Sequence, residues 1–96
     1  MQEISAALAG IDDPALIRRF LESLLTPRER TEISGRWELV KLLDRGESQR
    51  SVARKLGMSL CKITRGSREL KKKDSAFKAV LDGHVRARRM QGGEPA

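Results

Sequence analysis

Apolar residues recur along the chain with the period of an α-helix, and glycine, proline and capping residues separate the periodic stretches. One stretch carries apolar side chains on one face and charged side chains outside it, with apolar positions at Leu16, Ile17, Phe20, Leu21 and Leu24. No stretch shows the alternation of apolar and polar residues that a β-strand requires. The pattern therefore predicts an all-α protein of about six short helices.

The predicted helix starts rest on capping residues that are followed by proline. Asp13 precedes Pro14, and Thr26 precedes Pro27, with Glu29 three residues after the threonine. A capping side chain, a proline at the first helical position and a glutamate near it together favour a helix N-terminus. We expect one helix from Pro14 and a longer one from Pro27 to about residue 45, besides helices over about residues 2–9 and from residue 74 or 75 onward.

Residues 49–68 carry the pattern of a helix-turn-helix, which is two short helices joined by a tight turn. Val52 and Leu56 lie four residues apart and share one helix face, and Ala53 is small where two helices would cross. Gly57 supplies the positive φ that a tight turn needs. We predict a helix-turn-helix over about residues 48–71.

Charge is distributed unevenly along the chain, whose formal net charge is +7. Residues 1–48 contain seven basic and nine acidic side chains, whereas residues 49–96 contain 13 and 4. Residues 49–73 alone hold nine Lys and Arg against one acid, Glu69. An ordinary helical hairpin is the alternative to a DNA-binding motif, but cations concentrated on a helix-turn-helix favour the docking of a polyanion such as DNA.

A second helix that enters the major groove would bring its first residues to base edges and the flanking residues to phosphates. Arg50 could bind a guanine bidentately, and Gln49, near the start of the first helix, is expected to bind the DNA backbone. Lys62 or Thr64 could contact bases or phosphates. The leucine and the cysteine at the start of the second helix offer only apolar contact. The candidate DNA-binding residues are Gln49, Arg50, Ser59, Leu60, Cys61, Lys62 and Thr64.

The composition disfavours several classes of protein. A single cysteine cannot form an internal disulfide, and no apolar run approaches the roughly 18 residues that span a bilayer. The N-terminal region is acidic and has no basic start, which argues against a secretory signal. The chain has one histidine, no cluster of metal-ligating residues and no glycine-rich phosphate loop. We therefore expect a cytoplasmic protein with no membrane partner, no catalytic activity and no metal site.

The size of the chain favours association. Its 96 residues include only three aromatic side chains, so the core of a single copy is modest. Short helices without a large core often find one in a second copy, which predicts a homodimer. We expect a single domain over residues 1–91 and a disordered tail over residues 92–96.

Several short motifs in this order resemble the bacterial Trp repressor family, and the resemblance covers about residues 24–73. They are Leu24-Leu25-Thr26-Pro27-x-Glu29-Arg30, Gly35-Arg36, Gly46-Glu47, Ser48-Gln49-Arg50 and Ile63-Thr64-Arg65-Gly66-Ser67. The resemblance implies an all-α, intertwined homodimer that binds L-tryptophan as corepressor and then a two-fold symmetric operator on double-stranded DNA. It implies no cofactor besides this ligand. The docking of this family's helix-turn-helix in the major groove is a well-known example of DNA recognition.

The same resemblance implies a set of ligand-binding residues. Arg36 and Arg65 would sandwich the indole ring, and Arg65 would also hold the ligand carboxylate. Thr26 and the backbone around Leu25, from the other subunit, would contact the carboxylate and amino group of the ligand. Gly66 would leave room beside it.

Two features depart from the family pattern. Glu69 stands where the family usually has a small serine, and it would either hold the ligand ammonium or pair with Arg65, four residues before it. The link from Gly46 to Gln49 is one residue shorter than expected, which leaves the half-site spacing and the operator sequence open. A regulator of the same fold that does not respond to tryptophan is the alternative function.

Overall fold

The structure, a computed structural model, describes residues 1–92, with the side-chain surroundings described through residue 87. Those 92 residues form six α-helices and no strand. The helices are α1 (Gln2–Ala9), α2 (Pro14–Leu24), α3 (Pro27–Asp44), α4 (Gln49–Leu56), α5 (Leu60–Lys71) and α6 (Ala76–Gly92). The all-α prediction of about six helices is confirmed.

Two helices begin at the predicted capping residues, α2 after Asp13 and α3 after Thr26. At the start of α3 the Thr26 hydroxyl accepts from the Glu29 backbone N–H at 3.1 Å, and the Glu29 carboxylate accepts from the Thr26 backbone N–H at 2.8 Å. This reciprocal pair satisfies two backbone donors that a helix end otherwise leaves unpaired. Four other helices are each capped by one side chain that accepts a single hydrogen bond from a backbone N–H of the first turn: Asp13 for α2, Ser48 for α4, Ser59 for α5 and Ser75 for α6.

The chain divides into two compact units, residues 1–34 and residues 35–96, and the boundary falls within α3. In the first unit no residue of α1 or α2 is buried. The apolar stripe of α2 is partly open to solvent, with Leu16 41% and Leu24 52% exposed.

The second unit contains the core. Six side chains contributed by the second half of α3 and by α4, α5 and α6 are buried: Leu39, Val40, Leu42, Val52, Ile63 and Leu81. Trp37 lies beside this cluster and stacks on Phe77 with ring centroids 6.3 Å apart, while His84 meets the Trp37 ring edge-on at 5.7 Å. The aromatic contacts attach α6 to α3.

The C-terminal end was expected to be a disordered tail over residues 92–96. Gly92 is the last residue of α6, and residues 93–96 lie outside the described residues. The single domain over residues 1–91 stays a prediction. Within the described residues, none of the helices combines the length and the apolar character needed to cross a membrane.

Gly66 of α5 packs closely against α3. A Cβ atom at this position would overlap Leu39 Cδ2 and lie 3.6 Å from Val40 Cγ2. Leu39 is only 2% exposed, so it has little space into which to move. Glycine is therefore required here by the crossing of α5 and α3.

We expect Gly66→Ala to destabilise the protein. Alanine gains about 1 kcal/mol over glycine in a helix, but forcing an extra carbon into a packed core costs about 1–3 kcal/mol. The measurement is urea unfolding at a fixed protein concentration. Gly83→Ala is the matched control, because a Cβ there meets no atom within 4 Å and should stabilise the protein. Equal stabilisation by both variants would contradict the packing role of Gly66.

Candidate nucleic-acid interface

Helices α4 and α5 form the predicted helix-turn-helix. Gly57 ends α4 with φ 64° and ψ 35°, in the left-handed region, and the Met58 backbone N–H then donates to the Ala53 carbonyl at 3.1 Å. Val52 and Ile63 face each other across the turn and are fully buried. The inner face of the motif is thus apolar, which leaves its cations on the outside.

One ion pair and one hydrogen bond connect Glu47, in the link between α3 and α4, to α4. The Lys55 ammonium lies 2.7 Å from the Glu47 carboxylate, which also accepts from the Ser51 hydroxyl at 3.2 Å. The bond from Lys55 holds the pKa of Glu47 below its usual value. Glu47 thereby ties the short link to one side of α4, an interaction that the sequence analysis did not anticipate.

A second ionic contact connects the end of α3 with the start of α6. The Lys78 ammonium donates to Asp44 at 2.7 Å, across 34 positions of sequence, and lies 3.4 Å from Asp82. The hydrogen bond to Asp44 raises the pKa of Lys78. This contact joins the two ends of the segment that carries the helix-turn-helix, and the Glu47 contact ties its N-terminal end to α4.

The exposed side of α5 forms an open groove of about 610 Å³, here called the α5 groove. Its lining residues are Leu60, Cys61, Thr64, Arg65, Arg68, Glu69 and Lys72. The groove brings together three of the predicted DNA-binding residues and two of the predicted ligand-binding residues. Its lining combines apolar side chains with the cations Arg65, Arg68 and Lys72, which suits an anionic partner with an apolar part.

The remaining predicted DNA-binding residues do not line the groove. Gln49, the first residue of α4, is joined to Thr64 by a side-chain hydrogen bond of 3.3 Å. Arg50 and Lys62 are exposed. The Ser59 hydroxyl caps α5 by accepting from the Lys62 backbone N–H at 3.4 Å, so its first role is structural.

Glu69 has a partner that the sequence analysis did not consider. Its carboxylate lies 2.8 Å from the Lys72 ammonium, one turn further along α5. The hydrogen bond from Lys72 is the main cause that lowers the pKa of Glu69, and the charge of Arg65 contributes less. The carboxylate is therefore ionised at neutral pH, and it lies between the cations Arg65 and Lys72 along the chain.

The other predicted ligand residues are not in the α5 groove. Gly66 faces Leu39 in the core, and Arg36 is exposed on α3. Leu25 and Thr26 belong to the unit of residues 1–34. The Thr26 hydroxyl accepts in the capping pair, which leaves its own proton for donation to a ligand.

Sequence reasoning missed two groove residues, Arg68 and Lys72. They stand four residues after Thr64 and Arg68, respectively, so the helical repeat along one face of α5 was the signal that could have found them. Within residues 1–87, His, Cys, Asp and Glu side chains form no group that could hold a metal ion.

A family model and several similar proteins point to the same family. A family model described as Trp repressor protein matches residues 1–85. Three similar proteins are each named Trp operon repressor homolog. One from Vibrio campbellii is 42% identical over 81 residues, covering 83% of this chain and 81% of that protein. One from Vibrio parahaemolyticus is 37% identical over 81 residues, covering 83% and 79%. One from Chlamydia trachomatis is 38% identical over 72 residues, covering 70% and 77%. No solved structure matches the chain.

Proposed function

The chain belongs to the Trp repressor family, and on that basis we propose that it is a DNA-binding transcriptional repressor that uses L-tryptophan as corepressor. The observation that carries the proposal is the helix-turn-helix of α4 and α5, whose apolar face is buried in the core and whose cations face outward. A repressor of this class performs no catalysis and acts on the bacterial chromosome in the cytoplasm.

The unit of residues 1–34 supports a homodimer. Its helices leave large apolar side chains exposed, including Leu24 and, in the adjoining turns of α3, Ile33 at 48%. The Arg30 Nε atom is buried and, among the described residues, has no hydrogen-bond partner. Exposed apolar surface and an unpaired buried donor both cost free energy in water, and a second copy would supply cover and an acceptor. We propose that residues 1–91 of each protomer form a single domain in this dimer.

The ligand site that we propose uses residues of both protomers. Arg36 and Arg65 would stack on the two faces of the indole, each by a cation–π contact of about 0.5–2 kcal/mol. Arg65 would also bind the ligand carboxylate, with Thr26 and the backbone of Leu25 from the partner protomer. Gly66, whose missing side chain lets Leu39 pack against α5, would lie beside the ligand.

The residues that we propose to serve DNA binding, by touching DNA or by holding a neighbour that does, lie on the outer side of the helix-turn-helix: Gln49, Arg50, Ser59, Leu60, Cys61, Lys62 and Thr64. A ligand between the core and α5 would set the distance between the two helix-turn-helix motifs of the dimer. Only motifs about 34 Å apart enter successive major grooves on one side of DNA. Tryptophan would therefore act by favouring the arrangement that fits DNA.

A second candidate is a repressor of the same fold that does not respond to tryptophan. The observation that favours it is the commitment of Glu69 to Lys72, which puts an ionised carboxylate in the α5 groove beside Arg65. That charge would repel the carboxylate of an amino acid. Calorimetric titration of the protein with L-tryptophan distinguishes the two candidates.

We expect L-tryptophan to bind saturably in isothermal titration calorimetry and Arg65→Ala to weaken this binding about 10- to 150-fold, the equivalent of one charge-assisted hydrogen bond. Calorimetry avoids interference from the intrinsic fluorescence of Trp37. Arg86→Ala on the exposed face of α6 is the control and should bind normally. Absence of heat at millimolar ligand with the wild-type protein would contradict the corepressor role.

We expect Glu69→Ser to weaken binding of L-tryptophan but not of indole-3-propionate, which has the indole and carboxylate but no ammonium group. The reason is that Glu69 would exchange Lys72 for the ligand ammonium. Both ligands are titrated in the same calorimeter against wild type and variant. Tighter binding of both ligands by the variant would contradict this role and would show that Glu69 opposes the carboxylate.

We expect the affinity for a duplex that the protein selects from a random pool to rise about 5- to 150-fold with L-tryptophan. Its logarithm should fall with the logarithm of salt concentration by about 0.9 per phosphate neutralised. Fluorescence anisotropy measures both quantities. Lys62→Ala should lower the slope by about one such unit, whereas Arg18→Ala, an equal change of charge on α2, should leave it unchanged. A salt-independent affinity would contradict DNA binding.

A further inference from the structure

One side-chain hydrogen bond connects the two helices of the helix-turn-helix. The Thr64 hydroxyl of α5 donates to the Gln49 Oε1 atom of α4 at 3.3 Å, across 15 positions of sequence. Among the described residues it is the one hydrogen bond between side chains of α4 and α5. Both residues are half-buried, so water competes less for this bond than for a fully exposed one.

The chemistry of the two groups makes this bond directional. A glutamine amide has an acceptor oxygen at one end and an NH₂ group with two donors at the other. Because Thr64 occupies the oxygen, the oxygen points toward α5 and the NH₂ group points away from Thr64. The bond therefore sets which end of the amide is available to a partner.

The surroundings indicate what that partner is. Thr64 lines the α5 groove beside Arg65 and Arg68, so the Gln49 amide lies at the edge of a cationic surface. An uncharged donor at the edge of such a surface is suited to a phosphate oxygen of bound DNA, where it adds direction to the attraction of the cations.

We infer that Thr64 is a positioning residue for Gln49: its hydroxyl holds the amide oxygen so that the NH₂ group is presented, already oriented, to a phosphate of bound DNA. This inference rests on the proposed DNA-binding function. Its benefit is preorganisation, because a side chain that is already held loses less rotational freedom when DNA binds. Thr64 then acts on DNA through Gln49.

A double-mutant cycle tests the inference with a duplex that the wild-type protein has selected from a random pool. Gln49→Ala should weaken binding about 3- to 10-fold, the value of one neutral hydrogen bond. Thr64→Val, which is isosteric, should weaken it less, because the amide remains but is not held. The double variant should match Gln49→Ala, and Thr64→Ser should restore wild-type affinity. The salt dependence should not change in any of them, since none alters charge.

Two other results of the cycle would overturn the inference. Losses that multiply in the double variant would mean that Thr64 binds DNA independently. Equal losses in Gln49→Ala, Thr64→Val and the double variant would mean that the bond only holds α4 to α5. If the wild-type protein selects no duplex, the proposed function fails instead, so the two failures are distinguishable.

A measurement on the free protein tests the positioning without DNA. The side-chain amide of Gln49 should show restricted motion in ¹⁵N heteronuclear NOE, and this restriction should be lost in Thr64→Val and kept in Thr64→Ser. The exposed Gln2 of α1 is the internal reference for a mobile amide. A Gln49 amide as mobile as that of Gln2 in the wild-type protein would overturn the inference whatever its affinity for DNA.

Discussion

The packing of α5 against α3 at Gly66 joins the helix-turn-helix to the rest of the core. At this crossing the absence of one carbon atom allows Leu39 to pack directly against the backbone of α5. Leu39, Val52 and Ile63 are then all buried in one cluster, so the second helix of the motif and the long helix α3 share a core. Packing of one face of α5 in this core restricts the helix and leaves its opposite face open to a partner. Preorganisation of that kind is what a DNA-binding surface needs.

Charges in this protein have two separate roles. Lys55 and Lys78 are paired with Glu47 and Asp44. The Lys78 pair joins the two ends of the segment that carries the helix-turn-helix, and the Lys55 pair ties its N-terminal end to α4. Exposed ion pairs contribute little free energy one at a time, so their effect is to orient rather than to stabilise. The remaining cations of α4 and α5 face outward and give the surface its attraction for a polyanion. The acid in this surface, Glu69, is paired with Lys72, whose hydrogen bond lowers the pKa of Glu69.

Five of the seven residues that line the α5 groove were named from the sequence, but the contacts among the candidate residues were not. Thr64 and Gln49 were both predicted to contact DNA, yet nothing in their spacing indicated that they bind each other. Glu69 was expected to face either a ligand or Arg65, and its actual partner is Lys72. Gly66 was expected to make room for a ligand, and its closest neighbour is Leu39. In each case the type of residue was informative and the partner was not, because several partners of the same chemistry lie within reach of a helix face.

The sequence by itself determined the helices and their limits. Caps such as Thr26 with Glu29, and the turn at Gly57, act within about four residues, so their physical cause lies entirely in local sequence. The tertiary structure decided which distant residues meet, as in the bond of Lys78 to Asp44 across 34 positions and that of Thr64 to Gln49 across 15. Such contacts depend on the angle and distance between packed helices. Those quantities are set by the shapes of all the side chains at the crossing together, and no short motif contains them.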